Sequence, residues 1–186
     1  MGRPGGRWYC PCVRTRVVAA TVVLALAAAG CSGGAVSTTR APLPAGPNPS
    51  AIAKEVCQSE ARHDIAEVLG ETATVSTPTW HDHRYSCRYG YATGSMDLSV
   101  KELSSWTQTK DYFRSLATEL GDTRTLPGLG QAAFQTTDGS VVVRKDWKVL
   151  LVDTSALPPQ FGVPATSSGD VAVTVSDVIL GCWAGD

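Results

Sequence analysis

The chain has 186 residues, 43% of them apolar, which suits a single domain with a sizeable core. Its formal charge of −1 divides unevenly: the first 30 residues hold four arginines and no acid, leaving 12 basic against 17 acidic residues and a net charge of −5 for the rest. That balance argues against nucleic acid or anionic lipid headgroups as partners, since both reward basic surfaces.

Arg3, Arg7, Arg14 and Arg16 precede an uncharged apolar run of 13 residues, 17–29. A basic leader, a short apolar stretch and a small-residue step make a secretory signal, expected over residues 1–30. A membrane-spanning helix needs about 20 apolar residues, so a permanent span is the weaker reading. Ala28-Ala29-Gly30 leads into Cys31, and Ser-Gly-Gly follows. This step resembles the lipobox of bacterial lipoproteins, with Ala28 where that family usually has Leu, Val or Ile. The resemblance implies diacylglycerol on the Cys31 thiol, cleavage before it, and an anchor on the extracytoplasmic face of the cell membrane. The alternative is a plain signal followed by a chance cysteine. Cys10 and Cys12 leave with the leader and receive no role.

Residues 32–50 contain four prolines and three glycines, with little to bury. They are expected to form a flexible tether, so the lipidated cysteine and tether occupy 31–50 and one domain occupies 51–186. Residues 51–69 predict a helix. Cys57, Ala61, Ile65, Val68 and Leu69 share a face, with Ser50 as cap and Gly70 as stop. Tyr85, Cys87, Tyr89 and Tyr91 alternate with polar residues, as do Met96, Leu98 and Val100, which predicts a hairpin turning at 92–95 with Cys87 inward. Ser105 and Gln108 form a capping box before a second helix, whose stripe is Phe113, Leu116, Ala117 and Leu120 and which Gly121 ends. Residues 131–154 read as a three-stranded meander. It turns at Asp138-Gly139, where positive φ is easily adopted, and again at Asp146-Trp147. Residues 168–183 fit either a helix or a strand; helix is preferred, with Ser167 as cap and Asp170 completing a box. The expected fold is α+β, an antiparallel sheet of about five strands with about three helices packed on one side.

Candidate chemistry is sparse. On an extended segment, His81 and His83 would point the same way toward one metal, but they supply only half a site; His63, beside Asp64, is the remaining histidine. Cys57 and Cys87 both face the predicted core and are candidates for a disulfide in an oxidising compartment. Cys182 is core-facing on the last helix, so a Cys57–Cys182 bridge competes, and three cysteines leave at least one thiol over. Gly128-Leu129-Gly130 lacks the helix a phosphate loop requires. Catalytic serine, Ser-x-x-Lys and His-Glu-x-x-His motifs do not occur, and no cofactor is expected. Trp147, between Asp146 and Lys148 on a tight turn, is a candidate binding contact; the alternative is a tryptophan folded over the core.

The processing step together with VCQSEARHDIAEVLG, YSCRYGY, LSVKEL, GLGQAAF, VVVRKDWKVLLVD and the ending ILGCW resembles a group of small actinobacterial envelope lipoproteins across most of residues 52–184. The resemblance implies location and domain extent, and brings no catalytic residue. The expected function is a non-enzymatic, membrane-anchored binding or accessory protein taking an envelope protein or small apolar ligand. The alternatives are a metal-binding protein or metal-dependent enzyme using His81 and His83, and a purely structural envelope component.

Overall fold

The computed structural model of the protein describes residues 42–183. The expected signal peptide and the Cys31 lipidation site lie outside the described residues. The chain folds as α1 (Ala51–Glu55), α2 (Ser59–Leu69), β1 (Thr74–Val75), β2 (Thr79–His81), β3 (Arg84–Tyr91), β4 (Gly94–Glu102), α3 (Trp106–Leu120), β5 (Asp122–Thr125), β6 (Ala132–Thr136), β7 (Val141–Lys145), β8 (Lys148–Asp153), β9 (Gln160–Phe161), β10 (Thr166–Ser167) and α4 (Ser168–Cys182). The main sheet has eight strands in the order β1-β3-β4-β8-β7-β6-β5, with β2 also on β3; β9 and β10 form a separate ribbon. Every pairing is antiparallel. The fold class is therefore α+β, as the alternating hydrophobic pattern implies.

The helices occupy both faces of the sheet, not one. Val141, Val143, Leu150 and Val152 pack with Val171, Val175 and Ile179 of α4 and with Ala61 and Ile65 of α2. The intervening Val142 and Val149 pack with Leu116 of α3 and with Phe134 on the opposite face. There the Phe113 ring meets Phe134 edge-on at 5.0 Å. The cause is written in the strands. Val141-Val142-Val143 and Val149-Leu150-Leu151-Val152 are continuous apolar runs, and a strand apolar on both sides needs a cover on both sides. In crossing that second face, α3 carries the chain from the sheet's middle, at β4, to its edge at β5.

The expected first helix is two. Cys57 N–H donates to the Lys54 carbonyl at 3.1 Å and Gln58 N–H to the Glu55 carbonyl at 3.0 Å, so the chain tightens and turns. The carbonyls freed at the elbow find side-chain donors: the Tyr89 hydroxyl on Val56 at 2.7 Å and Arg62 Nε on Cys57 at 2.8 Å. Cys57 is thereby aimed at β3 and bonds to Cys87, 30 residues on, which decides between the two competing bridges. Cys182 lies outside this bond, half-buried on α4. Val68, expected on the buried face, is 45% exposed, because rotation after the elbow leaves Ala61, Ile65 and Leu69 as the inward row. Gly70 ends α2 at φ 64°, where an added Cβ would lie 2.6 Å from the Val163 carbonyl.

Caps at Ser50, Ser105 and Ser167 accept from backbone N–H groups three residues on, as their spacing predicts. The meander follows the expected strands and turns, while the hairpin turns more tightly than expected, at Ala92-Thr93, with Gly94 and Ser95 already paired to Tyr91 and Gly90. The surplus strands β1, β2, β5, β9 and β10 are two to four residues long and mostly exposed, too short to show a period. At one edge β5 is exposed throughout, and its pairing with β6 shifts register between Asp122 and Arg124. Residues 42–50, expected as tether, run along the sheet: Ala45 N–H donates to the Leu103 carbonyl at 3.1 Å and Ser50 N–H to Glu102 at 3.2 Å.

Two outcomes test the elbow. Reduction of Cys57–Cys87 closes off a constraint on a loop of about 30 residues and is expected to lower stability by about 3–4 kcal/mol in urea melts with and without reductant. Burial raises the Tyr89 hydroxyl above its ordinary value of 10.0, so the unfolded chain loses that proton first as pH climbs past 10. The stability linked to it is full below that pH and is lost above it. Tyr89→Phe is expected to cost about 1–2 kcal/mol at neutral pH and to flatten the alkaline fall in stability.

Candidate functional site

Because α3 lies over β6 to β8, the same sheet face remains open over β2, β3 and β4. The residues pointing there alternate with the core set, as a pleat requires: Thr79, Arg84, Ser86 and Arg88, then Asp97 and Ser99. With Ser76 and Thr77 as a wall and Leu151 and Asp153 on the floor, they line a cleft of about 490 Å³.

Its charges are balanced and held. Arg88 forks onto Asp97, with Nε 2.8 Å from Oδ1 and Nη2 2.7 Å from Oδ2. This pair fixes the guanidinium's charge, the Asp97 hydrogen bond raising its pKa first and the carboxylate's charge adding to it. Arg84 donates to the Tyr112 hydroxyl on α3. Asp153 Oδ1 accepts from Ser140 Oγ at 3.3 Å and from Ser155 Oγ at 2.6 Å. Thr79 and Ser86 share a hydroxyl contact at 3.0 Å. The Cys87 sulfur beneath is tied in the disulfide. What the cleft offers a visitor is hydrogen bonding from hydroxyls and paired ions.

The His81-Asp82-His83 cluster does not form the extended segment its sequence predicts. His81 ends β2, paired with Arg84, and Asp82 and His83 are the two-residue turn to β3 at φ 48° and 53°. The chain reverses between the imidazoles, so they are not presented together along a strand. His83 Nδ1 lies 3.1 Å from the Gly46 carbonyl, which makes it the donor, and its ring stands edge-on to Trp80. Lys101 Nζ sits 2.8 Å from Asp82 Oδ2, and its hydrogen bond and charge hold that carboxyl below the usual range. Among the described residues, the three side chains gathered closely enough to share a metal are His63, Asp64 and Glu67 on α2, with ligand atoms within 4.8 Å of one another.

Trp147 is half-buried at its turn, where Asp146 takes the positive φ, and its carbonyl accepts from Leu103 N–H at 2.9 Å. The tryptophan that stands out is Trp106 at the start of α3, 41% exposed. Arg144 lies 4.6 Å from its ring centroid and Lys110 5.5 Å. Sequence reasoning gave neither Trp106 nor the cleft. The Arg88–Asp97 pair was not within its reach: counting outward from a 92–95 turn sets Arg88 opposite Ser99, whereas the turn tightens to Ala92-Thr93 and brings Arg88 opposite Asp97. No protein-family model, curated protein or solved structure matches the chain.

The turn geometry gives a direct outcome for metal binding. Zn²⁺ uptake in equilibrium dialysis is expected to be the same for the wild type and His81→Ala/His83→Ala. A stoichiometric site lost in the double variant would restore the turn as a metal centre.

Proposed function

We propose that this protein is a membrane-anchored extracytoplasmic lipoprotein that serves as a non-enzymatic binding or accessory protein of the cell envelope. The observation that carries this reading is the union of two features. A basic, apolar leader ends at Cys31, and the domain behind it is stapled by Cys57–Cys87. Such bonds persist in oxidising compartments and are rare in the cytosol. No helix among the described residues is long and apolar enough to cross a membrane.

The cleft's chemistry supports a binding role. Its guanidinium and carboxylate groups are engaged with each other or with neighbouring hydroxyls, an arrangement suited to holding a ligand. The cleft is lined mostly by Ser, Thr, Arg and Asp side chains, which favours a ligand that can hydrogen-bond over a purely apolar one.

Attachment is tested by expressing the full chain in a bacterial host, separating membranes from soluble protein, and weighing the intact product. The wild type is expected in membranes with diacylglycerol mass on Cys31. Cys31→Ser is expected in the soluble exported fraction without it. A soluble wild type carrying an unmodified Cys31 would overturn the proposal.

A further inference from the structure

We infer that the end of the domain carrying Leu43, Trp106 and Lys110 rests on a phospholipid bilayer, with the Trp106 indole, braced by Arg144, at headgroup level and Lys110 on lipid phosphates. The inference rests on the lipoprotein reading above for what brings this end to the surface, and on the side chains themselves for what holds it there.

All four tryptophans among the described residues gather at this end of the sheet, where β4 finishes at Glu102 opposite Lys148. Trp80 is the second-last residue of β2 and donates from Nε1 to the Pro47 carbonyl at 2.9 Å. Trp147 makes the β7–β8 turn, and Trp183 follows α4, its carbonyl accepting from Lys145 Nζ at 2.9 Å. Trp106 opens α3. Indole combines a flat apolar body with one polar N–H, and it concentrates where hydrocarbon meets water. Core packing alone gives no reason to collect four at one end and leave one exposed.

The exposed side chains match that boundary. Leu43 is 66% exposed, and it lies two residues before Ala45, which is hydrogen-bonded to Leu103; Trp106 lies three residues beyond Leu103. Arg144 and Lys110 flank the Trp106 ring. Among the described residues no carboxylate pairs with either cation. Nearby acids are engaged elsewhere: Asp82 with Lys101, Glu102 with Lys148, Asp111 with Arg114. The net −5 of the chain after residue 30 repels anionic headgroups, so an end that presents the exposed Lys110 without a carboxylate partner is the one such a surface admits.

Chain length leads to the same end. The described chain starts at Pro42, eleven residues after Cys31. Fully extended, that link reaches at most about 37 Å, and three residues further on Ala45 is already bonded to Leu103 at the tryptophan end. The two acyl chains of a diacylglycerol already hold a protein at a bilayer, so a second interfacial contact would fix the domain's orientation there.

The test uses the full chain purified from membranes, with lipid on Cys31 read first by intact mass. The protein is reconstituted into vesicles of phosphatidylcholine and phosphatidylglycerol with brominated acyl chains, and tryptophan quenching is measured. Wild-type fluorescence is expected to be quenched, with quenching reduced about twofold in Trp106→Ala and also lowered in Lys110→Glu, which keeps every indole. Lipidated protein whose tryptophans escape quenching would overturn the bilayer contact while leaving the anchor intact, and would turn this end toward a protein partner. Protein without lipid on Cys31 would sink the anchor alone. The contact is then decided by titrating that protein with the same vesicles: saturable quenching sustains it, and none at lipid excess overturns it.

Discussion

Strands β7 and β8 present apolar side chains to both faces of the sheet, and the domain is arranged to cover them. Val141, Val143, Leu150 and Val152 are fully excluded from water on one side, Val142 and Val149 essentially so on the other. Two layers cannot satisfy such strands. One face takes α1, α2 and α4, and the other takes α3, so the long connection from β4 to β5 is itself structural cover. Since α3 is one helix of 15 residues, it covers only part of its face. The polar cleft is the remainder. Its place follows from how far one helix extends over eight strands.

The second organising feature is the elbow between α1 and α2. A continuous helix over residues 51–69 would have carried Cys57 along its own axis. Breaking it costs helical hydrogen bonds at Val56 and Cys57, and Tyr89 and Arg62 replace them. A buried carbonyl without such partners would cost more than the broken turn saves. The disulfide, the buried tyrosine and the helix break are therefore one arrangement, and they bind the first helices to the hairpin at its middle.

Much of this was legible in the residues. Alternation in 85–91 and 96–100, the Asp138-Gly139 turn and the three serine caps placed the hairpin, the meander and two helices, because periodicity and capping are local physics. The helix over 168–182 emerged against its β-branched content: the inward row Val171, Val175 and Ile179 has helical spacing, and tertiary burial outweighs intrinsic preference. What stayed hidden was mostly relational. Short strands such as β1 and β5 exist because a neighbour supplies partners. The Asp82-His83 turn depends on left-handed backbone at two non-glycine residues, which a pattern of alternation does not announce. The second face of the meander was visible in its unbroken valine runs, whose helical partner only the fold could name. The Trp106 corner was hidden for a further reason: Arg144 and Lys110 meet that ring from different elements.

The sheet's borders have a consequence for crowding. At one side β1 and β2 are two and three residues long and interrupted at Ser76-Thr77-Pro78; at the other, β5 offers four polar residues and a register slip. An unpaired strand border is a template for another chain, and its reach depends on how many successive N–H and C=O groups lie in register. Among the described residues, neither border of the main sheet offers a run long enough to recruit a second sheet. If the chain is held at a membrane as proposed, copies confined to one plane would meet border to border far more often than in free solution, and these short, frayed margins would let them part again.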